Sequence, residues 1–235
     1  MTHVLDNPAW AALHGPQAHL GEVRGQAARF HPDVAGFATL RPEPDERAWA
    51  DLAGLVGPGA EVALPGVATK PPPGWEVVFA IPGVQLVDVA LRAEPDPQAV
   101  VLGPADVPEM LDLVARTEPG PFRKRAIELG TYLGIRREGR LIAMAGERLH
   151  PPGWTEISAV CTDPAYRGSG LGTRLVRAVA AGIRARGEVP FLHAAASNAD
   201  AIRLYERIGF TLRRTTNFRA VRIPHSRPSG PAAIP

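Results

Sequence analysis

Apolar residues recur at helical spacing along several stretches of this chain. Ala48, Trp49, Leu52, Leu55 and Val56 share one face of residues 44–56, which Gly57-Pro58 brings to a stop. Met110, Leu111 and Val114 form the inward face of a helix capped by Asp106 and running through Thr117. Ala201, Ile202, Tyr205 and Ile208 mark another, capped by Ser197-Asn198 and ended by Gly209. Further helical stretches are predicted from Asn7-Pro8 to about Gly15, over residues 123–129, and from about Leu171 to Arg186.

Between them lie short runs that read as strands: 29–30, 36–40, 61–64, 75–81, 85–91, 100–102, 154–162 and 189–196. Residues 131–137 and 141–149 form a hairpin around Glu138-Gly-Arg140, and 210–214 with 218–223 form a closing hairpin. The stretch Ala93-Glu-Pro-Asp-Pro-Gln98 reads as a linker. It predicts an α/β domain over residues 1–95, a second domain over 96–225 with the order β-α-α-β-β-β-α-β-α-β-β, and a polar, Pro-rich tail over 226–235. The first half is one candidate for a degenerate copy of the second, although the sequence shows no clear repeat.

Composition narrows the class. The chain has 235 residues, 45% of them hydrophobic, enough for a sizeable core. A single cysteine excludes an internal disulfide, and neither a membrane-spanning run nor a secretory leader is visible, so a cytoplasmic protein is expected. The net charge of +2 hides an asymmetry. Residues 1–95 carry 6 Lys+Arg against 11 Asp+Glu, and residues 96–225 carry 19 against 13. The arginines are scattered and not bunched with aromatics, which argues against nucleic-acid binding. No His/Cys/Asp cluster has metal-ligand spacing, so no metal is expected.

The candidate chemistry lies in Arg167-Gly168-Ser169-Gly170-Leu171-Gly172, placed between a strand and a helix. Glycines let backbone N–H groups approach phosphate oxygens, and a helix N-terminus adds unpaired donors and positive dipole. Arg167 and Arg174 would add charge. The spacing departs from the dinucleotide pattern, since Thr173 stands where the third glycine would follow, and no lysine completes a nucleotide-triphosphate loop. About 30 residues downstream comes Asn198-Ala-Asp-Ala-Ile-Arg-Leu-Tyr205-Glu-Arg-Ile-Gly209-Phe210.

These two signatures, in this order, resemble those of the GNAT superfamily of N-acyltransferases. The resemblance covers roughly residues 98–224 and is nearest the glycine N-acyltransferase-like C-terminal domains. It implies a mixed central sheet flanked by helices. It implies acetyl-CoA as co-substrate, its pantetheine arm beside Val160, Cys161 and Thr162, its pyrophosphate on Arg167 to Thr173, and Asn198 at its amide. It implies acetyl transfer to the primary amine of a small molecule or amino acid by direct attack in a ternary complex, with room for a homodimer and no nucleic-acid or membrane partner. A catalytically weak acyl-CoA-binding or sensing module and a protein N-acetyltransferase are the alternatives. Tyr205 is then the candidate general acid. Glu156, on a strand between apolar neighbours, is the candidate base with an expected raised pKa. His193 ranks behind it, and Cys161 reads as a small apolar strand residue, because no motif would activate its thiol.

Overall fold

Short polar side chains set most helix starts in the computed structural model, which describes residues 3–225. The tail expected over 226–235 lies outside the described residues. Asn7 caps α1 (Pro8–Leu13) by accepting from Trp10 N, and Asp45 caps α2 (Glu46–Val56) by accepting from Ala48 N. Around these helices, β1 (Gly21–Arg24), β2 (Ala27–Phe30) and β3 (Ala38–Leu40) form a separate three-stranded antiparallel sheet. The first of these strands has no alternating apolar pattern, since Glu22, Val23 and Arg24 are all exposed, and only its pairing with β2 defines it.

The rest of the described residues build one eight-stranded sheet and the helices on it. Its strands are β4 (Glu61–Ala63), β5 (Glu76–Asp88), β6 (Val100–Leu102), β7 (Tyr132–Arg137), β8 (Arg140–Glu147), β9 (Trp154–Thr162), β10 (Val189–Ala195) and β11 (Phe210–Arg222). The order across the sheet is β4-β11-β5-β10-β9-β8-β7-β6, with only β9 and β10 parallel. The linker expected at 93–98 therefore crosses from one strand of this sheet to another, with β4 and β5 of the first half inside it. Among the described residues no helix is long and apolar enough to cross a membrane.

Three sequence readings need correction here. Residues 75–81 and 85–91, expected as separate strands, are one strand, β5. Residues 210–223, expected as a hairpin, are one strand, β11. The two pair side by side from Phe210↔Asp88 to Arg222↔Glu76. The polar dip Thr215-Thr216-Asn217 looks like a turn in the sequence because Thr216 lines a cleft and not the core. Gly83 sits opposite it, and a Cβ there would meet the Phe218 ring at 2.6 Å. A third stretch, 123–129, is only a single 3-10 turn, Ala126–Leu129.

Successive residues of β10 show how the layers are divided, since strand side chains alternate between faces. Leu192 packs with Leu175, Val176, Val179 and Ile183 of α4 (Leu171–Ala185), and Leu86 of β5 joins the same cluster. Phe191 packs instead with Leu5, Leu13 and Phe30 from the first 40 residues. Buried Gln17 fastens that layer: its amide donates to Leu129 O at 3.1 Å and Arg148 O at 2.7 Å, and its carbonyl accepts from His150 N at 3.1 Å. The charge asymmetry is resolved in ion pairs between the halves, such as Arg184–Asp88 at 2.6 Å, Arg177–Glu94 at 3.3 Å and Arg213–Asp6 at 2.7 Å. α3 (Val107–Thr117) covers Met144 and Tyr132 through Met110 and Leu113, and α5 (Ala199–Ile208) lies over the α4 side.

Candidate active site

The only parallel pair in the large sheet comes apart partway along. β9 and β10 pair from Trp154↔Val189 to Ile157↔Leu192, and no further. β10 continues to Ala195 against β5. β9 continues against β8, with a register shift between Met144/Cys161 and Gly146/Ser158. Ala159 sits in that shift with φ 52, a left-handed conformation uncommon for a residue with a Cβ. Beyond Ile157 the two strands part around a cleft of about 620 Å³. Val160, Cys161 and Thr162 line it from β9, Ala194 and Ala195 from β10, and Asn198 and Tyr205 from α5 and its cap. Backbone groups of β9 facing a parted neighbour can pair with an extended ligand as an added strand would.

The glycine-rich loop closes one end. Gly168 and Gly170 adopt φ 78 and φ 77, where a side chain would be strained although the space beside each is open. Gly170 N-caps α4, whose first intrahelical bond is Arg174 N to Gly170 O at 3.1 Å. The N–H groups of Leu171, Gly172 and Thr173 therefore have no intrahelical acceptor. A Cβ on Gly172 would be in ordinary contact with Val160 at 3.8 Å, so closeness to β9 is not what requires glycine there. Ser169 turns its hydroxyl onto Tyr166 O at 2.5 Å and so tightens the loop. Of the two arginines expected to add charge, only Arg167 lines the cleft, with its Nε 3.4 Å from Thr162 O. Arg174 is held away by Asp96 at 2.6 Å and Gln98 at 2.8 Å.

Tyr205 stands on α5, which Asn198 starts by accepting from Ala201 N at 3.2 Å. Its ring packs edge-on to Phe210 at 6.1 Å. Among the described residues its hydroxyl makes no hydrogen bond, and burial pushes its pKa up to about 12. The phenol thus remains protonated at any physiological pH and borders the cleft. Cys161 is buried, and that burial raises its thiol pKa, which suits an inert strand residue better than a nucleophile.

Glu156 requires a correction. Its expected raised pKa is instead lowered to about 2. Full burial alone would raise it, but the Arg148 guanidinium overrides that by gripping the carboxylate with two hydrogen bonds, 2.8 and 2.6 Å long. His193 Nδ1 lies 2.6 Å from the same carboxylate. Glu156 does not itself line the cleft, whereas Arg148 and His193 do. On the other ring nitrogen, the Gln85 amide sits 3.0 Å from His193 Nε2 and also donates to Leu5 O at 2.9 Å. Gln85 Oε1 accepts from Arg213 at 2.8 Å. An amide donor on Nε2 and a carboxylate on Nδ1 place the imidazole proton on Nδ1 and the lone pair on Nε2.

Sequence reasoning missed Arg148 and Gln85. Arg148 follows β8 without a motif around it, and only the pairing of its N–H with Glu156 O at 2.9 Å brings it beside that carboxylate. Gln85 comes from the first half of the chain, where no chemistry was legible. The signal available was a lone polar residue inside an apolar strand.

The mixed central sheet flanked by helices is the fold that the sequence resemblance implies, and comparison with known proteins agrees. Residues 132–219 match the family model described as FR47-like protein. A putative acetyltransferase of the GNAT family from Novosphingobium aromaticivorans superposes with a TM-score of 0.86 at 45% identity, over 94% of this chain and 98% of that one. This chain belongs to the GNAT family. Among curated relatives, N-alpha-acetyltransferase RimI of Mycobacterium tuberculosis is 40% identical over 96 residues, which is 39% of this chain and 60% of the relative. Mycothiol acetyltransferase of Thermomonospora curvata is 40% identical over 76 residues, 32% of this chain and 26% of the relative. The chain therefore spans less than two thirds of the length of these curated relatives.

Proposed function

We propose that this protein transfers the acetyl group of acetyl-CoA to a primary amine of a small molecule or amino acid, by direct attack in a ternary complex. The observation that carries the reading is the parting of β9 and β10 beside the open helix N-terminus of α4. The pantetheine arm would pair with Val160, Cys161 and Thr162, and the pyrophosphate would sit on the N–H groups of the loop, Arg167 to Thr173. Asn198 would face the arm's amide. Tyr205, kept protonated by its burial, would donate a proton to the departing thiolate. His193, and not Glu156, is the base that the network supports: Glu156 remains ionised and orients the ring. Proton uptake at Nε2 would require the Gln85 amide to yield its place.

The lining favours a small acceptor over an acidic-groove reading for peptides, because Arg148, Arg167, Arg214 and Arg219 face it against Asp6 and Glu118. A panel of amines and amino acids with acetyl-CoA, followed by free thiol release, tests the proposal. CoA binding without thiol release from any amine would favour the sensing module. Tyr205→Phe keeps the ring and should lower kcat about 10²-fold with CoA affinity nearly unchanged. Steady-state rates within threefold of wild type would return Tyr205 to a packing role. Gly170→Asp, in the open left-handed position, should weaken CoA binding at least tenfold while the fold persists. Unchanged affinity in calorimetry would remove the phosphate-loop assignment.

A further inference from the structure

One cation in the cleft lining is buried without a counter-charge. Arg219, on β11, is only 8% exposed and borders the cleft. Among the described residues no carboxylate pairs with it, and residues 1–2 and 226–235 contain no Asp or Glu. Its NH2 donates to Val67 O and to Thr69 O, the latter at 2.7 Å, while its Nε has no partner. Two carbonyls supply dipoles but no charge, and burial pushes the guanidinium below its usual pKa. An arginine does not release its proton under such pressure, so the cost of burial stands until an anion arrives.

The neighbouring cleft arginines are arranged differently. Arg148 is paired to Glu156 and Arg214 to Asp6. Arg167 is unpaired as well, but it follows β9, with β10 and β5 between it and β11, at least about 14 Å of sheet away.

We infer that Arg219 receives a carboxylate that the substrate carries into the cleft, so that the reaction takes a carboxylate-bearing substrate. This rests on the acyl-transfer reading and deepens it. The carboxylate could enter on the amine acceptor, as in a free amino acid, or on the acyl group, as in a dicarboxylic acyl-CoA. The chemistry at the guanidinium is the same: a charge-assisted hydrogen-bonded pair in a site removed from water.

The first measurement needs no variant. With acetyl-CoA, kcat/KM is compared for alanine, serine and leucine and for their carboxamides; with a neutral amine, acetyl-CoA is compared with succinyl-CoA. Wild-type protein should favour one carboxylate form over its neutral counterpart by about 30-fold or more. Arg219→Met should abolish that preference while leaving turnover of the neutral substrate near wild type, and Arg219→Lys should restore part of it. A preference seen among acceptors assigns the carboxylate to the amine, and one seen between acyl donors assigns it to the acyl group. No preference in either arm, or a preference that survives in a folded Arg219→Met, overturns the inference. If no amine is acetylated at all, acyl transfer itself fails, and calorimetry with CoA present decides the Arg219 site separately. There N-acetylalanine and succinate should bind more tightly than N-acetylalaninamide and succinamide; equal affinities overturn it.

Discussion

A chain shortened to residues 96–235 will fail to fold into a soluble, cooperative unit. The shortening removes β5, which lies between β10 and β11 in the large sheet. Both neighbours would then present unpaired N–H and C=O groups along new edges, a template for aggregation. It also removes Leu86 from the cluster under α4, and Leu5, Leu13 and Phe30 from the cluster around Phe191. Each large side chain that loses this cover costs about 1.5–3 kcal/mol, and several together exceed what a domain of ordinary stability retains. Size exclusion, near-ultraviolet circular dichroism and a thermal melt of the fragment check this. A monomeric fragment with full stability and full activity would show that residues 1–95 are an independent domain after all.

Replacing Arg148 with Met will destabilise the protein by about 3–5 kcal/mol, because it leaves the Glu156 carboxylate buried without its main partner. For a chain of this size that corresponds to a fall in Tm of roughly 10 °C. Arg148 also reaches over the Phe37 ring at 6.0 Å, so part of the loss is packing. Adding Glu156→Gln to Arg148→Met should recover part of the stability, since the remaining buried group is then neutral. A double variant no more stable than Arg148→Met would show that packing, and not charge, sets the cost. The acid profile follows from the same pair. The Glu156 pKa falls from 4.5 in the unfolded chain to about 2 in the fold. Its contribution, on the order of 3 kcal/mol, is present above pH 4.5 and is lost as pH falls towards 2. Glu156→Gln should flatten the stability curve in that window.

The glycine-rich loop, the α4 and α5 helices and the strands on either side of them were legible in the sequence, because each is specified by residues close together in the chain. Left-handed glycines, a capping Asn and period-3.6 apolar positions act over a turn or two, and the structure puts Gly168, Gly170, Asn198 and Tyr205 where those local signals place them. The resemblance to the GNAT superfamily rested on the same local strings.

Tertiary structure decided what depends on distant partners. β5 and β11 are continuous strands because each supplies the other's hydrogen bonds across their polar and glycine-containing middles, which no local pattern encodes. The low pKa of Glu156 was illegible for a related reason. Its apolar sequence neighbours report burial, which raises a carboxylate pKa, but Arg148 from beyond the end of β8 and His193 from β10 reverse the sign. The position of Arg219 among carbonyls and no carboxylates is likewise a property of the folded loop at residues 67–69. Sequence by itself determined the locally specified elements and the family resemblance, since those follow from local sterics and periodicity. The charge states and partners in the cleft followed only from folding, since electrostatic energies depend on separations across strands that the chain order does not contain.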